Sequence, residues 1–483
     1  MASPDARRWA GASAVFFAMA ALLLGGCTVG PNYQRPSTDV PADYQESADF
    51  KAAHPSDEIA KGKWWEVYGD PQLNALEEQV TVSNQTLKEA QAQFAEARAA
   101  ITVNRAAYYP TVSAVPSAAG NRESQTKALF GTTSPVTYAD YQLPPIDVSW
   151  EPDVWGRVRR TVEAARAEAQ ATAADLANTQ LSLQAELALD YFQLRGLDSQ
   201  QQLLDSTVTS YEKALELTDS RYKGGVASAV DVAQAQTQLE TTRAQAVDVG
   251  VDRTAFAHAI AVLIGKSPAE FSQALSPLTQ PPPAIPPGLP SELLERRPDI
   301  AAAERRMQEA NAQIGVARAA YFPTFSLTGG GGFESQAINN LLTGPSGFWS
   351  LAGSAAELLF DGGQRRGVTQ EARAAYDKSV DTYRQTTLTA FQEVEDNLSA
   401  LRILEGEAKI QDAAVAAAEH SLDLSNSRYK GGVANYLEVT TAQSAALGDE
   451  RADVDVLTRR MAASVLLIKA LGGGWNTSQL PHL

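Results

Sequence analysis

Apolar and polar positions repeat along this chain with two different periods, and the change from one to the other divides it into parts. The segment WWEVYGDPQLNALEEQV, from Trp64, opens a helical pattern that runs to Tyr109 and stops at Pro110. Asp70 is placed to cap it and Pro71 occupies the first helical position. A much longer helical pattern starts near Arg157 and continues to about Asp219, with Leu176, Leu183, Leu187 and Leu194 on one face at heptad-type spacings. Such a helix extends about 95 Å. No compact domain needs a rod of that length. Together with many alanines in its first turns, it predicts a coiled or tubular assembly whose helices approach closely. Gly196 leaves two readings open, a local break or a glycine facing solvent. Gly224-Gly225 then interrupts the pattern, which resumes from about Ser228 to Leu263. The same happens at Gly431-Gly432, between a helix from about Arg365 and one running to Leu471. Each pair of helices is read as a hairpin bent at glycines, which accept positive φ.

Between the helices the period falls to two. Ile146, Val148 and Trp150 alternate with Asp147, Ser149 and Glu151. Phe325 and Leu327 alternate with Ser326 and Thr328, and Trp349 and Leu351 with Ser350 and Ala352; Thr111–Gly120 is a weaker fourth case. Loops at about Asn121–Thr137 and Glu334–Gly347 join them in pairs. Segments of about ten residues with this period suit a lipid-facing barrel wall. No stretch after the leader reaches the roughly 18 apolar residues of a membrane helix, so a membrane crossing requires strands. Four strands do not close a membrane barrel, because single-chain examples start at about eight. Open edges are not tolerated in lipid, so several chains must pool their strands; two, three or four copies all satisfy that arithmetic.

The chain also repeats itself. RYKGGVA stands at Arg221–Ala227 and again at Arg428–Ala434, 207 positions later. Aligned at that offset, Arg221–Gly265 and Arg428–Gly472 agree at 16 of 45 positions. RAAYYPTVS (Arg105–Ser113) similarly mirrors RAAYFPTFS (Arg318–Ser326). This is duplication of a large unit. The expected organisation is a leader 1–26, an extension 27–63, a first repeat 64–266, a Pro-rich connector 267–297, a second repeat 298–473 and a tail 474–483.

Arg7 and Arg8 followed by the apolar run Val15–Leu24 read as a secretory signal. Leu24-Gly25-Gly26-Cys27 resembles a bacterial lipobox, in which the only cysteine, Cys27, becomes the lipid-modified mature N-terminus. Acyl chains anchor at about 0.8 kcal/mol per buried CH₂. Thr28 after the cysteine favours the outer membrane. The net charge of −17 argues against nucleic acid, whose binding needs a basic face. His54, His258, His420 and His482 are scattered without metal-ligand spacing. Gly265-Lys266-Ser267 resembles the end of a phosphate loop, but the required earlier glycine falls on Ile260. Gly329–Gly332 lies in a strand region and marks close backbone packing. The reading is therefore of a protein with no enzymatic activity and no cofactor.

The combination of DPQLNALEEQV with YYPTVS, LPSELLERRPDIAAAE (Leu289–Glu304), YFPTFSL and the two RYKGGVA bends resembles the outer-membrane efflux protein (TolC-like) family. With Cys27 it is similar to the NodT-type lipoproteins of resistance–nodulation–division (RND) pumps. The resemblance implies a mostly α fold with a β membrane part. It implies a homotrimer, with four strands per subunit closing a twelve-strand transmembrane β-barrel continuous with a long α-helical periplasmic tube. It further implies an exit duct for small molecules in the outer membrane of a Gram-negative bacterium, lipid-anchored by palmitate and other acyl chains. Its partners would be a periplasmic adaptor and an inner-membrane RND-type transporter. The adaptor would dock at Arg221, Tyr222, Gly224, Gly225 and Val226 and at their counterparts Arg428, Tyr429, Gly431, Gly432 and Val433. A family acid in a Leu-Asp-Ala-Gln stretch falls here on Thr441, so Leu437 and Thr441 are the expected constriction. Asp231 and Glu438, nearby acids at equivalent repeat positions, are read as solvated surface. The competing readings are a type I protein-secretion outlet, which the lipobox disfavours, and a lipid-anchored coiled-coil scaffold without a pore, which the paired strands disfavour.

Overall fold

A computed structural model describes residues 28–37, 40–46, 62–122, 137–286 and 290–483. The leader, Cys27 and the lipobox reading lie outside the described residues.

Two helices lead. Asp70 Oδ1 accepts from the backbone N–H groups of Gln72 and Leu73, at 2.8 and 3.2 Å, and starts α1 (Pro71–Ser83). The apolar pattern runs unbroken to Tyr109, but the helix does not. At Asn84 the backbone turns extended, and α2 (Gln85–Arg105) begins anew. Asn84 makes the break with both ends of its amide. Its Oδ1 accepts from Leu87 N–H at 2.9 Å, and its Nδ2 donates to the Leu263 carbonyl at 2.8 Å. A partner 179 residues away fixes the kink, so no local pattern announces it.

The strands β1 (Thr111–Ala114), β2 (Ser117–Arg122), β3 (Thr137–Trp150), β4 (Thr324–Ser335) and β5 (Gly347–Ala356) form one antiparallel sheet. β1 and β2 lie end to end along the same edge of β3, so five strands fill four rows. Register sorts the side chains by face. Val112, Val148, Gly329 and Leu351 form one rung, and Ala114, Ile146, Gly331 and Trp349 another on the same face. The opposite face carries Ser113, Asp147, Gly330 and Ser350. The β4 glycines leave room for neighbours: a Cβ on Gly330 would lie 3.1 Å from Asp147 Oδ1 and 3.2 Å from Ser350 Oγ. Among the described residues nothing covers the apolar face, where Trp349 is 82% exposed.

Below the sheet come the long helices. Asp153 accepts from the N–H groups of Val158 and Arg159 at the start of α3 (Arg157–Lys223), and α4 (Ala229–Leu263) returns antiparallel to it. After the connector and a single turn Leu293–Arg296, α5 (Pro298–Ala319) leads to β4. From β5 the chain enters α6 (Gln364–Lys430) and α7 (Tyr436–Ala470). The hairpins match in length, with 67 residues in α3 and in α6 and 35 in α4 and in α7. Helix α3 is continuous through Gly196, which neither breaks it nor faces water. A Cβ there would lie 2.3 Å from Thr458 Oγ1 on α7, so the glycine lets two helices touch.

The largest core sits at mid-length. There Trp64, Leu73, Val80, Tyr191, Ile264 and Ile468 bring α1 and the ends of α4 and α7 against α3. Arg297 of RRPDIAAAE joins these parts. Its buried guanidinium donates to Asp299 and Glu393, each at 2.7 Å at closest, and to the Ala470 carbonyl at 3.1 Å. Two carboxylates and a helix-end carbonyl offset the cost of burying that charge.

Glu77 is the opposite case. It is fully buried, neither carboxylate oxygen is hydrogen-bonded among the described residues, and burial pushes its carboxyl well above the usual carboxylate range. Between its unfolded value near about 4.3 and that raised value, folding takes up a proton. Stability contributed by this site is therefore fully present at low pH and falls, by about 1.4 kcal/mol per pH unit, as pH rises through the window. Glu77→Leu is expected to raise the thermal unfolding midpoint at neutral pH and to raise it much less near about pH 4. Equal gains at both pH values would contradict this assignment.

Candidate functional site

The two heptads form the bends at the far ends of the hairpins. Gly225 and Gly432 have φ of 76° and 75°, whereas Gly224 and Gly431 remain right-handed. Gly225 N–H donates to the Tyr222 carbonyl at 2.9 Å and Val226 N–H to that of Arg221 at 2.8 Å. In the second bend Gly432 donates to Tyr429 at 3.0 Å and Val433 to Arg428 at 3.1 Å. This paired closure satisfies carbonyls at a helix end, and it requires a left-handed residue at one position only. An apolar residue in the place of Val226 and Val433 often packs back on its own helix. Here the two valines are 69% and 71% exposed, so each bend offers an apolar contact to something else.

The bends share a sequence but not surroundings. Tyr429 is 5% exposed, packed with Ala235, Tyr436 and Val439, its ring 5.2 Å from that of Tyr436. Tyr222, its counterpart, is 47% exposed. Arg221 lies 4.8 Å over the Tyr429 ring and donates to the Lys430 carbonyl at 3.1 Å, tying the first hairpin to the second. Arg428 instead pairs with Glu438 at 3.4 Å. Higher up, Tyr211 Oη donates to the Gln443 carbonyl at 3.2 Å, and Gln238 Nε2 to Ser444 Oγ at 3.2 Å.

Leu437 and Thr441 share one exposed face of α7, while Val439, Ala442 and Gln443 are buried on another. Thr441 Oγ1 is occupied, donating to the Leu437 carbonyl at 2.8 Å. The acids read as solvated surface have local work. Asp231 closes a reciprocal cap with Ser228, and Glu438 holds Arg428. The sequence reading missed the partners of Tyr429. The one signal available was Tyr436, an aromatic standing where the first repeat has Ala229.

Among the described residues no group of His, Cys, Asp or Glu could hold a metal ion, and no helix is long and apolar enough to cross a membrane. The conspicuous features are thus a sheet with one apolar and one polar face, long helices beneath it, and two tips. The model of the outer membrane efflux protein family matches residues 76–266 and again 289–473. This chain belongs to that family. It is 34% identical over 459 residues to the outer membrane protein OprJ of Pseudomonas aeruginosa, covering 94% of this chain and 95% of OprJ. To the toluene efflux pump outer membrane protein TtgC of Pseudomonas putida it is 31% identical, covering 96% of both chains. Its fold is similar to that of the outer-membrane channel OprN, with a TM-score of 0.86 at 31% identity, over 93% of this chain and 100% of that one. The protein is accordingly an outer-membrane efflux channel of a Gram-negative bacterium, reaching from that membrane into the periplasm.

Proposed function

We propose that three copies of this chain pool their sheets into one twelve-strand barrel. The barrel continues into a tube of their long helices, through which a tripartite pump passes small molecules to the outside. The observation that carries this reading is the sheet, with four rows, one apolar face, one polar face and long edges that find no partner among the described residues. In hydrocarbon every backbone N–H and C=O needs a partner, and single-chain barrels begin at about eight strands, so the missing wall comes from copies. Lipid then covers Trp349 and Leu351, and the row of Asp147 and Ser350 lines the lumen.

The two halves, 64–266 and 298–473, act as repeats, so that trimerisation makes six similar tips. A periplasmic adaptor engages them through Val226 and Val433, and an inner-membrane RND-type transporter supplies the energy. Leu437 and Thr441 narrow the tube near the tips. Cys27 carries the lipid anchor, and Thr28, the first described residue, packs against Gly156 just past the end of β3. The toluene efflux pump relative supports small organic molecules as the cargo.

Val226→Asp combined with Val433→Asp puts charge on both exposed contacts without touching the backbone of the bend. Oligomers in the membrane are expected at wild-type level, with co-purification of the adaptor lost. An adaptor that co-purifies undiminished would contradict docking at the tips.

A further inference from the structure

A cavity of about 390 Å³ opens beside the first turns of α3, at the end of the helices next to the sheet. Tyr108, Arg159, Glu163, Arg166, Gln170 and Gln308 line it, together with Leu483. Its height follows from β3. Trp150 ends that strand and its Nε1 donates to the Tyr108 carbonyl at 3.0 Å, while Arg159 and Arg166 follow in the first three turns of the helix. The two arginines are about 10 Å apart along the axis, and a headgroup layer beside the hydrocarbon is roughly 5–8 Å deep. Tyr109 and Phe360 are exposed at the same transition from sheet to helix, and aromatic rings collect at headgroup level. The cavity shares its side of the helices with the N-terminal extension. Gln308 stands on the face of α5 that carries Asn311 and Gly315. There Asn311 Nδ2 donates to the Pro31 carbonyl at 3.1 Å, and Gly315 lies against Gly30. The extension leads back to Cys27, so this side faces lipid and periplasm, not the lumen.

Charge around the cavity is unbalanced. The acids beside it are engaged, Asp153 with Arg159 at 3.3 Å and Glu163 with Arg160 at 2.8 Å. Arg166, and Arg105 at the end of α2, pair with no carboxylate among the described residues, that of Leu483 included. Tyr108 registers the surplus. Burial and Asp153 raise its phenol, and the charges of Arg166, Arg159 and Arg105 oppose that rise. Guanidinium groups bind phosphate through paired N–H donors, and a phenol and two side-chain amides add further donors. On the reading that the sheet lies in the membrane and Cys27 anchors the chain, we infer that this cavity takes the phosphoryl headgroup of an anionic phospholipid of the periplasmic leaflet, with Arg166 and Arg105 supplying the unpaired charge. Basic pockets at this depth recognise such headgroups. A zwitterionic headgroup brings its own cation and gains less from two guanidiniums. The bound lipid sits where α2, α3 and α5 enter the leaflet, and it fixes their height there.

Native mass spectrometry of the full-length protein, with phosphatidylglycerol or phosphatidylcholine added to the detergent, tests the site. Phosphatidylglycerol is expected to be retained at one molecule per chain and phosphatidylcholine at far less. Arg166→Gln is expected to weaken phosphatidylglycerol retention about fivefold, and Arg166→Gln with Arg105→Gln about 25-fold. Arg157→Gln is the control, an arginine of the same turn that pairs with Glu151 and does not line the cavity; it is expected to change nothing. Equal retention of the two lipids, or an equal loss in Arg157→Gln, would overturn the inference. Inorganic phosphate added without lipid is expected to leave no adduct. A phosphate adduct lost in Arg166→Gln, with the two lipids retained alike, would assign the cavity to a free anion and overturn the inference too. The same spectra count the chains and the acyl groups on Cys27. A single chain without acyl groups would overturn the membrane reading itself. A lipidated oligomer that retains no phosphatidylglycerol would overturn the headgroup site alone.

Discussion

Leu351→Arg will prevent the chain from accumulating as heat-resistant oligomers in the outer membrane, whereas Ser350→Arg will not. The two residues are neighbours on β5 and differ in the face they occupy. Leu351 shares its rung with Val112, Val148 and Gly329, the apolar face, and is 75% exposed in the chain. A cation there, near the middle of the wall, costs about 2–4 kcal/mol in lipid. In the proposed trimer three copies bring the cost to roughly 6–12 kcal/mol, which is the size of a whole domain's net stability. Ser350 stands on the polar rung, where it and the Asp147 carboxylate flank Gly330. Arginine at this position meets water and an acid. Semi-native gels of outer-membrane fractions will separate the two variants, and equal assembly of both would mean that the sheet is not a wall between lipid and water.

The second large effect is expected at the tips, from half of their glycines. Gly225→Ala with Gly432→Ala will abolish export, with resistance falling to that of a strain lacking the protein. Gly224→Ala with Gly431→Ala will leave it nearly intact. Of the four tip glycines only Gly225 and Gly432 have positive φ, and alanine in that region costs about 1–2 kcal/mol at each bend. A Cβ on Gly224 or Gly431 meets a carbonyl oxygen of its own helix at 3.5 or 3.4 Å, which is close to ordinary contact. The chain must reverse within two residues, so a bend unable to go left-handed displaces Val226 and Val433 from their exposed positions. Oligomer levels are set by the sheet and the mid-length core and should be unchanged. Full resistance in the Gly225/Gly432 variant would separate the bend from the export function.

The architecture was legible wherever a feature is written in local pattern. Period two marked the strands, long heptad-type spacing marked α3, and paired glycines marked both bends. What escaped depends on distant partners. Asn84 breaks a helix because the Leu263 carbonyl is within reach of its side chain. Gly196 exists for Thr458, more than two hundred residues on. The split of the first sheet row into β1 and β2 is visible only against β3, which pairs with both. At the tips the limit is sharper, since identical heptads cannot by themselves distinguish buried Tyr429 from exposed Tyr222. The distinction comes from Tyr436, Ala235 and Val439 around one of them, while the other is half exposed.

In the proposed assembly, copies of the chain complete one wall. Native mass spectrometry of the full-length protein released from membranes in mild detergent tests it most directly. Three chains in a single species, protected as a sheet-rich band against protease, is the predicted result. A single chain that is stable in water without detergent, its β3–β5 region cleaved like any exposed hairpin, would contradict it.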